Sequence, residues 1–109
     1  MSKILVVVDM QKDFITGALP AVGGVEVAKR IREKILNEKP ARVFFTADTH
    51  YDNYLDTQEG RHLPIPHCIK YTDGWDIVDE LKEFVSSSNL LIKETFGLHS
   101  IGEKIDSSL

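Results

Sequence analysis

A chain of 109 residues, 42% hydrophobic and 28% charged, has room for one folded domain and none for a second. Its formal net charge of −4, with lysines and arginines dispersed among the acids, excludes the basic stripe that a nucleic-acid backbone requires. No apolar run approaches the roughly 20 residues of a membrane span. The first residues lead straight into a strand without the features of a signal peptide, and a single cysteine cannot close an internal disulfide, so a cytoplasmic location is expected.

The chain opens with the run Lys-Ile-Leu-Val-Val-Val at 3–8, whose unbroken apolar, β-branched character predicts a strand buried on both faces. Asp9 follows at once, ahead of Met10, Gln11, Lys12, Asp13 and Phe14. Gly17, Pro20, Gly23 and Gly24 then supply breaker chemistry for a loop, and Val25, Ala28, Ile31, Ile35 and Leu36 form the apolar stripe of a helix. Pro40 ends the connection, and 42–46 predicts a second strand. A second helix is expected to begin at Asp73 or Gly74 and to present Ile77, Val78, Leu81, Phe84 and Val85. A short polar turn at 86–89 leads into a third strand at 90–92, which ends at Lys93.

The densest chemistry lies in the stretch 44–68, where an apolar strand gives way to Asp48, His50, Asp52, Asp56, Glu59, His62, His67 and Cys68. Strands of a parallel sheet end on its carboxyl edge, where open α/β sheets bind their ligands. Asp48 and His50 stand two apart, so both reach the same side of an extended chain and can share an ion. A polar residue at any one strand end is ordinary. An acid at Asp9, metal-type donors at Asp48 and His50, and a base at Lys93, all on one edge, point together to a site. Asp52 and Asp56 read as solvated loop acids, and His62 and His99 as surface groups with His62 the reserve ligand. The chain contains neither G-x-G-x-x-G nor a Walker A pattern, and no internal repeat.

The segments Val7-Val8-Asp9-Met10-Gln11-Lys12-Asp13-Phe14, Thr46-Ala47-Asp48-Thr49-His50, Pro66-His67-Cys68 and Ile92-Lys93 together resemble the isochorismatase-like cysteine hydrolases, specifically their metal-binding nicotinamidase branch. The resemblance runs over nearly the whole chain. It implies one α/β domain over 1–109, a three-layer Rossmann-like parallel sheet with helices on both faces, of which the chain holds the first three strands of six. Asp9 matches the family's catalytic carboxylate, which takes the proton of a cysteine nucleophile and later helps activate water. Lys93 matches the catalytic lysine, whose charge favours the thiolate and the transition state. Asp48, His50 and His67 match metal ligands, and Glu59 falls where some relatives place a carboxylate ligand, with Asp56 as its rival. Such a mixed set suits Zn²⁺, Mn²⁺ or Fe²⁺. In nicotinamidase-like members this metal holds the ring nitrogen of the substrate, so a small cyclic amide, nicotinamide first, is the implied substrate. Phe14 matches a pocket-wall aromatic. Trp75 and Phe96 either help enclose a flat ring or belong to the core.

The chain departs from the family at one point. Relatives carry the nucleophilic cysteine on a turn after a fourth strand, beyond the catalytic lysine, whereas the only cysteine here is Cys68, beside His67. Cys68 lacks a helix N-terminus or matched base that would activate it, so a small buried apolar role is expected. In the family's strand order, 3-2-1-4-5-6, the first strand would lack its neighbour and expose a hydrophobic edge from Ile4 to Val8. A homo-oligomer, a complementing chain across that edge, or a longer reading frame of which this is a fragment is expected, and the tail at 97–105, which can form a short helix towards the missing strand, favours the fragment. The alternative function is a catalytically inactive α/β module that binds a metal or a partner chain.

Overall fold

The three apolar runs pair as a parallel sheet in the order β1-β2-β3, with β1 at Ile4–Val8, β2 at Arg42–Asp48 and β3 at Leu90–Lys93. Residues 3–94 are described in this computed structural model. The expected α/β architecture is therefore present, with β1 paired on one side only among the described residues. Phe96, His99 and the predicted tail helix lie outside them. None of the described helices is long and apolar enough to cross a membrane.

Parallel pairing requires a crossover between successive strands, and the first is helix α2, Gly24–Glu38. Ala28, Ile31 and Ile35 of α2 pack with Leu5, Val7, Val43, Phe45 and Leu90 on one face of the sheet. Phe45 is fully buried there, which is worth about 2–3 kcal/mol of transfer free energy. Val25 and Leu36, expected on the same stripe, are exposed because the contact with the sheet is narrower than the helix's apolar arc. Lys39 ends α2 in the left-handed conformation, its N–H donating to the Ile35 carbonyl, and Pro40 prevents continuation.

The second crossover differs from expectation. In place of a helix starting at Asp73 or Gly74, a 3₁₀ turn spans Asp73–Trp75, and a single helical turn, α4, follows at Asp79–Lys82. The interruption has a cause: the segment before α4 is drawn into extended pairing with the residues after β1. Lys12 N–H donates to Asp76 O, Val78 N–H donates to Met10 O, and Gln11 and Ile77 form an antiparallel bridge. Ile77, Val78 and Leu81 still enter the core, with Phe84 and Val85 packed against it.

The register aligns the carboxyl ends of the strands. Val8 pairs with Thr46 and Asp48 with Lys93, so Asp9, Asp48 and Lys93 stand side by side along one edge. Above that edge lie the short helices α1, Lys12–Ile15, and α3, Gln58–His62.

Candidate functional site

Asp9 leaves β1 with φ of 52°, a left-handed turn that an aspartate tolerates better than most residues. Thr46, buried on β2, fixes it twice. The threonine hydroxyl accepts the Asp9 N–H at 3.1 Å and donates to Asp9 Oδ1 at 2.8 Å. The second carboxylate oxygen, Oδ2, accepts from Lys93 Nζ at 2.7 Å. Both partners are mostly shielded from water, and the two charges compensate each other at the cavity wall.

Asp48, His50 and His67 each offer a ligand atom within 4.8 Å of the other two. His50 Nε2 lies 3.1 Å from Asp48 Oδ2 and 3.4 Å from Glu59 Oε2, and His67 Nε2 lies 3.7 Å from Asp48 Oδ2. His67 Nδ1 stands 2.8 Å from the Ile65 carbonyl, an acceptor only, so Nδ1 is a donor there and Nε2 is the ligand atom of the neutral ring that faces the cluster. Two buried imidazoles, one with its free nitrogen so defined, and a carboxylate suit a divalent transition metal. Glu59 approaches from α3 as a further carboxylate, whereas Asp56, its rival in sequence, is exposed on a 3₁₀ turn.

Both groups open onto one cavity of about 820 Å³, lined by Asp9 and Lys93, by Asp48, His50, Glu59 and His67, and by the apolar side chains of Phe14, Leu19 and Leu63. The Phe14 ring stands edge-on to His67 at 5.5 Å. His62 also lines the cavity but stands outside the three-residue cluster. Trp75 does not line it: its indole N–H donates to Thr49 Oγ1 at 2.9 Å, and its ring meets Tyr71 instead.

Cys68 is fully buried beside His67. Burial pushes its thiol up, the carboxylates of Asp48, Asp13 and Asp9 add to the effect, and Lys93 opposes it. The thiol is therefore neutral throughout the physiological range.

Three residues that organise the site carry no role in the sequence reading. Gln11, fully buried, donates its amide to Asp48 O and Trp75 O, both at 2.8 Å, and accepts Asp48 N–H at 2.9 Å. Tyr54 packs its ring edge-on to both histidines, at 4.7 Å from His50 and 5.2 Å from His67, while its hydroxyl donates to Leu63 O. Burial, with Glu59 and Asp48 nearby, pushes its phenol up. Thr46 is the third. Gln11 and Thr46 lie inside the quoted motifs, but nothing marks Tyr54, one of two tyrosines in a polar loop.

The sequence pattern described as the isochorismatase domain matches residues 3–100. The chain belongs to the isochorismatase family. Among solved structures, the family resemblance extends to the pyrazinamidase of Pyrococcus horikoshii in complex with zinc, with 29% identity and a TM-score of 0.69 over 98% of this chain and 65% of that one. The pyrazinamidase/nicotinamidase of Streptococcus mutans gives 23% identity and 0.71 over 97% and 66%. The N-carbamoylsarcosine amidase of Thermoplasma acidophilum gives 24% and 0.63 over 97% and 63%. The last two likenesses establish the fold alone. This isochorismatase-family chain spans slightly less than two thirds of the length of each, and no curated protein matches it.

Proposed function

We propose that this chain is the base-, lysine- and metal-bearing portion of a cysteine amidohydrolase for small cyclic amides, with nicotinamide the leading substrate and nicotinate and ammonia the products. The observation that carries this reading is one cavity lined both by the Asp9–Lys93 pair and by the Asp48, His50 and His67 donors. Asp9 takes the proton of a cysteine thiol, and the thiolate attacks the amide carbon. The C–N bond breaks as Asp9 returns that proton to the leaving nitrogen, which departs as ammonia. Asp9 then takes a proton from the water that opens the thioester, releasing the acid and restoring the thiol. Lys93 Nζ holds Asp9 Oδ2 in place at 2.7 Å and offsets the negative charge that develops on the reacting carbonyl. Asp48, His50 and His67, with Glu59 in support, would hold a divalent metal, which would supply Lewis-acid anchoring of the substrate's ring nitrogen. Phe14 walls the ring.

Cys68 is not the nucleophile in this scheme, because its thiol is buried and neutral. The attacking thiol is assigned to the further portion that the longer neighbours possess, whether supplied by the same polypeptide or by a complementing chain. The side chains of Ile4, Val6 and Val8 are exposed, consistent with a partner or a second copy along β1. The working enzyme is assigned to the cytoplasm.

Ammonia release from nicotinamide by the complete gene product is the test. Asp9→Asn should lower it about 10³-fold with metal content unchanged; retained turnover sinks the reading. The burial of Cys68 also favours a second reading, an inactive metal- or partner-binding module. In that case the intact mass of the native gene product corresponds to 109 residues, and the chain takes up metal but releases no ammonia.

A further inference from the structure

Asp13 is neither one of the catalytic groups nor one of the metal-type groups, yet it ties α1 to two other segments, the one at Ala18 and Leu19 and the one at Cys68. Oδ2 accepts the Cys68 N–H at 2.8 Å, Oδ1 accepts the Ala18 N–H at 3.2 Å, and its backbone carbonyl accepts the Leu19 N–H at 2.8 Å. The carboxylate sits in a cradle formed by Gly17 and Gly74, where a methyl group on either glycine would collide with it. Cys68 has φ of 49°, a conformation that costs a non-glycine residue about 1 kcal/mol and therefore needs an external hold. The charge-assisted bond to Asp13 supplies one. The Cys68 carbonyl is committed on its other side, accepting the His50 N–H at 2.9 Å, and Lys70 N–H donates to His50 O, so the kink is tied to both histidines.

We infer that Asp13 is a positioning residue for metal binding: it fixes the left-handed kink at Cys68, and through it the direction in which His67 presents Nε2 to Asp48 and His50. The inference rests on the metal reading of that cluster. Asp13→Asn is nearly isosteric, but it can accept only one of the two N–H groups, and its own NH₂ opposes the other. Gly74→Ala disturbs the same carboxylate from the opposite side with Asp13 intact.

The test is titration of the complete gene product with Zn²⁺ and with Co²⁺, by calorimetry and by the visible spectrum of bound Co²⁺. Asp13→Asn and Gly74→Ala are each expected to weaken binding 10- to 100-fold and to change the Co²⁺ spectrum as an imidazole is lost. Ile35→Val, a core change on α2 away from the loop, should leave affinity within twofold. In a His67→Ala background Asp13→Asn should add less than twofold, because its effect passes through His67; a merely structural role would add in full. The inference is overturned if both loop variants fold and bind like the unchanged chain, if Ile35→Val weakens binding as much, or if the two losses add. Failure of the unchanged chain to bind either ion overturns the metal reading, and this inference with it.

Discussion

The two chemical groups of the cavity are held by different means. Asp9 and Lys93 belong to strand ends, and the register of the sheet brings them to 2.7 Å. His67 comes from a loop after α3, and its place depends on a few polar ties: Asp13 to Cys68, Cys68 to His50, and Ile65 to its own ring. Backbone ladders are many and cooperative, so the strand-held pair has redundant support. Asp48 ends β2 and shares that support, but the loop-held histidines have little redundancy, and single polar substitutions should separate them from the strand-held groups.

Gln11→Leu should have the largest effect. Leucine fills most of the volume but leaves Asp48 N–H, Asp48 C=O and Trp75 C=O without the partner that Gln11 gives them. At roughly 1–3 kcal/mol for each buried group left unsatisfied, the loss of stability should be about 3 kcal/mol or more in urea unfolding. A loss below about 1 kcal/mol would mean that water replaces the amide and that the end of β2 and the turn at Trp75 depend less on Gln11 than its burial indicates.

The same contrast governs what could be read from the amino acids. The strands are legible because 3–8, 42–46 and 90–92 are short apolar runs that periodicity and breakers delimit, and Asp9, Asp48 and Lys93 are legible because they follow those runs directly. The helix expected from Asp73 fails because its apolar spacing fits either a helix or an extended segment, and pairing with Gln11 decides for the latter at Ile77. Trp75 reads equally well as a pocket wall or a packed aromatic. The nearby Thr49 hydroxyl, which takes its N–H, is a tertiary contact that no local pattern announces. Tyr54 is invisible for the same reason: its place against both histidines follows from the turn that Thr57 and Gly60 make, where Thr57 Oγ1 accepts the Gly60 N–H at 3.1 Å.

On the strand-held side the sharper probe is Thr46→Val. It keeps the shape of a fully buried side chain and removes the hydroxyl that accepts from Asp9 N and donates to Oδ1. Asp9 N–H retains Thr46 O as an acceptor at 3.1 Å, and Oδ2 retains Lys93. The expected loss is therefore about 1 kcal/mol, smaller than for Gln11→Leu, with metal affinity unchanged. An equal loss in both variants, or a fall in metal affinity for Thr46→Val, would erase the distinction between the two sides.

The smallest effect at neutral pH belongs to Cys68, which reports on how often the loop-held side opens. Its buried thiol is pushed up, so the folded chain holds a proton that the unfolded chain releases above about pH 8.5. The sign follows: this contribution to stability is fully present below that pH and declines above it, by about 1.4 kcal/mol per pH unit until the folded thiol also ionises. At pH 8, iodoacetamide should therefore label the native chain at least 100-fold more slowly than the urea-unfolded chain, since attack needs both exposure and the thiolate. Labelling that speeds up in Asp13→Asn but not in Thr46→Val would locate the opening in the loop. Equal acceleration in both variants would mean that the cavity opens as one unit, and that sheet register and loop ties are a single cooperative structure.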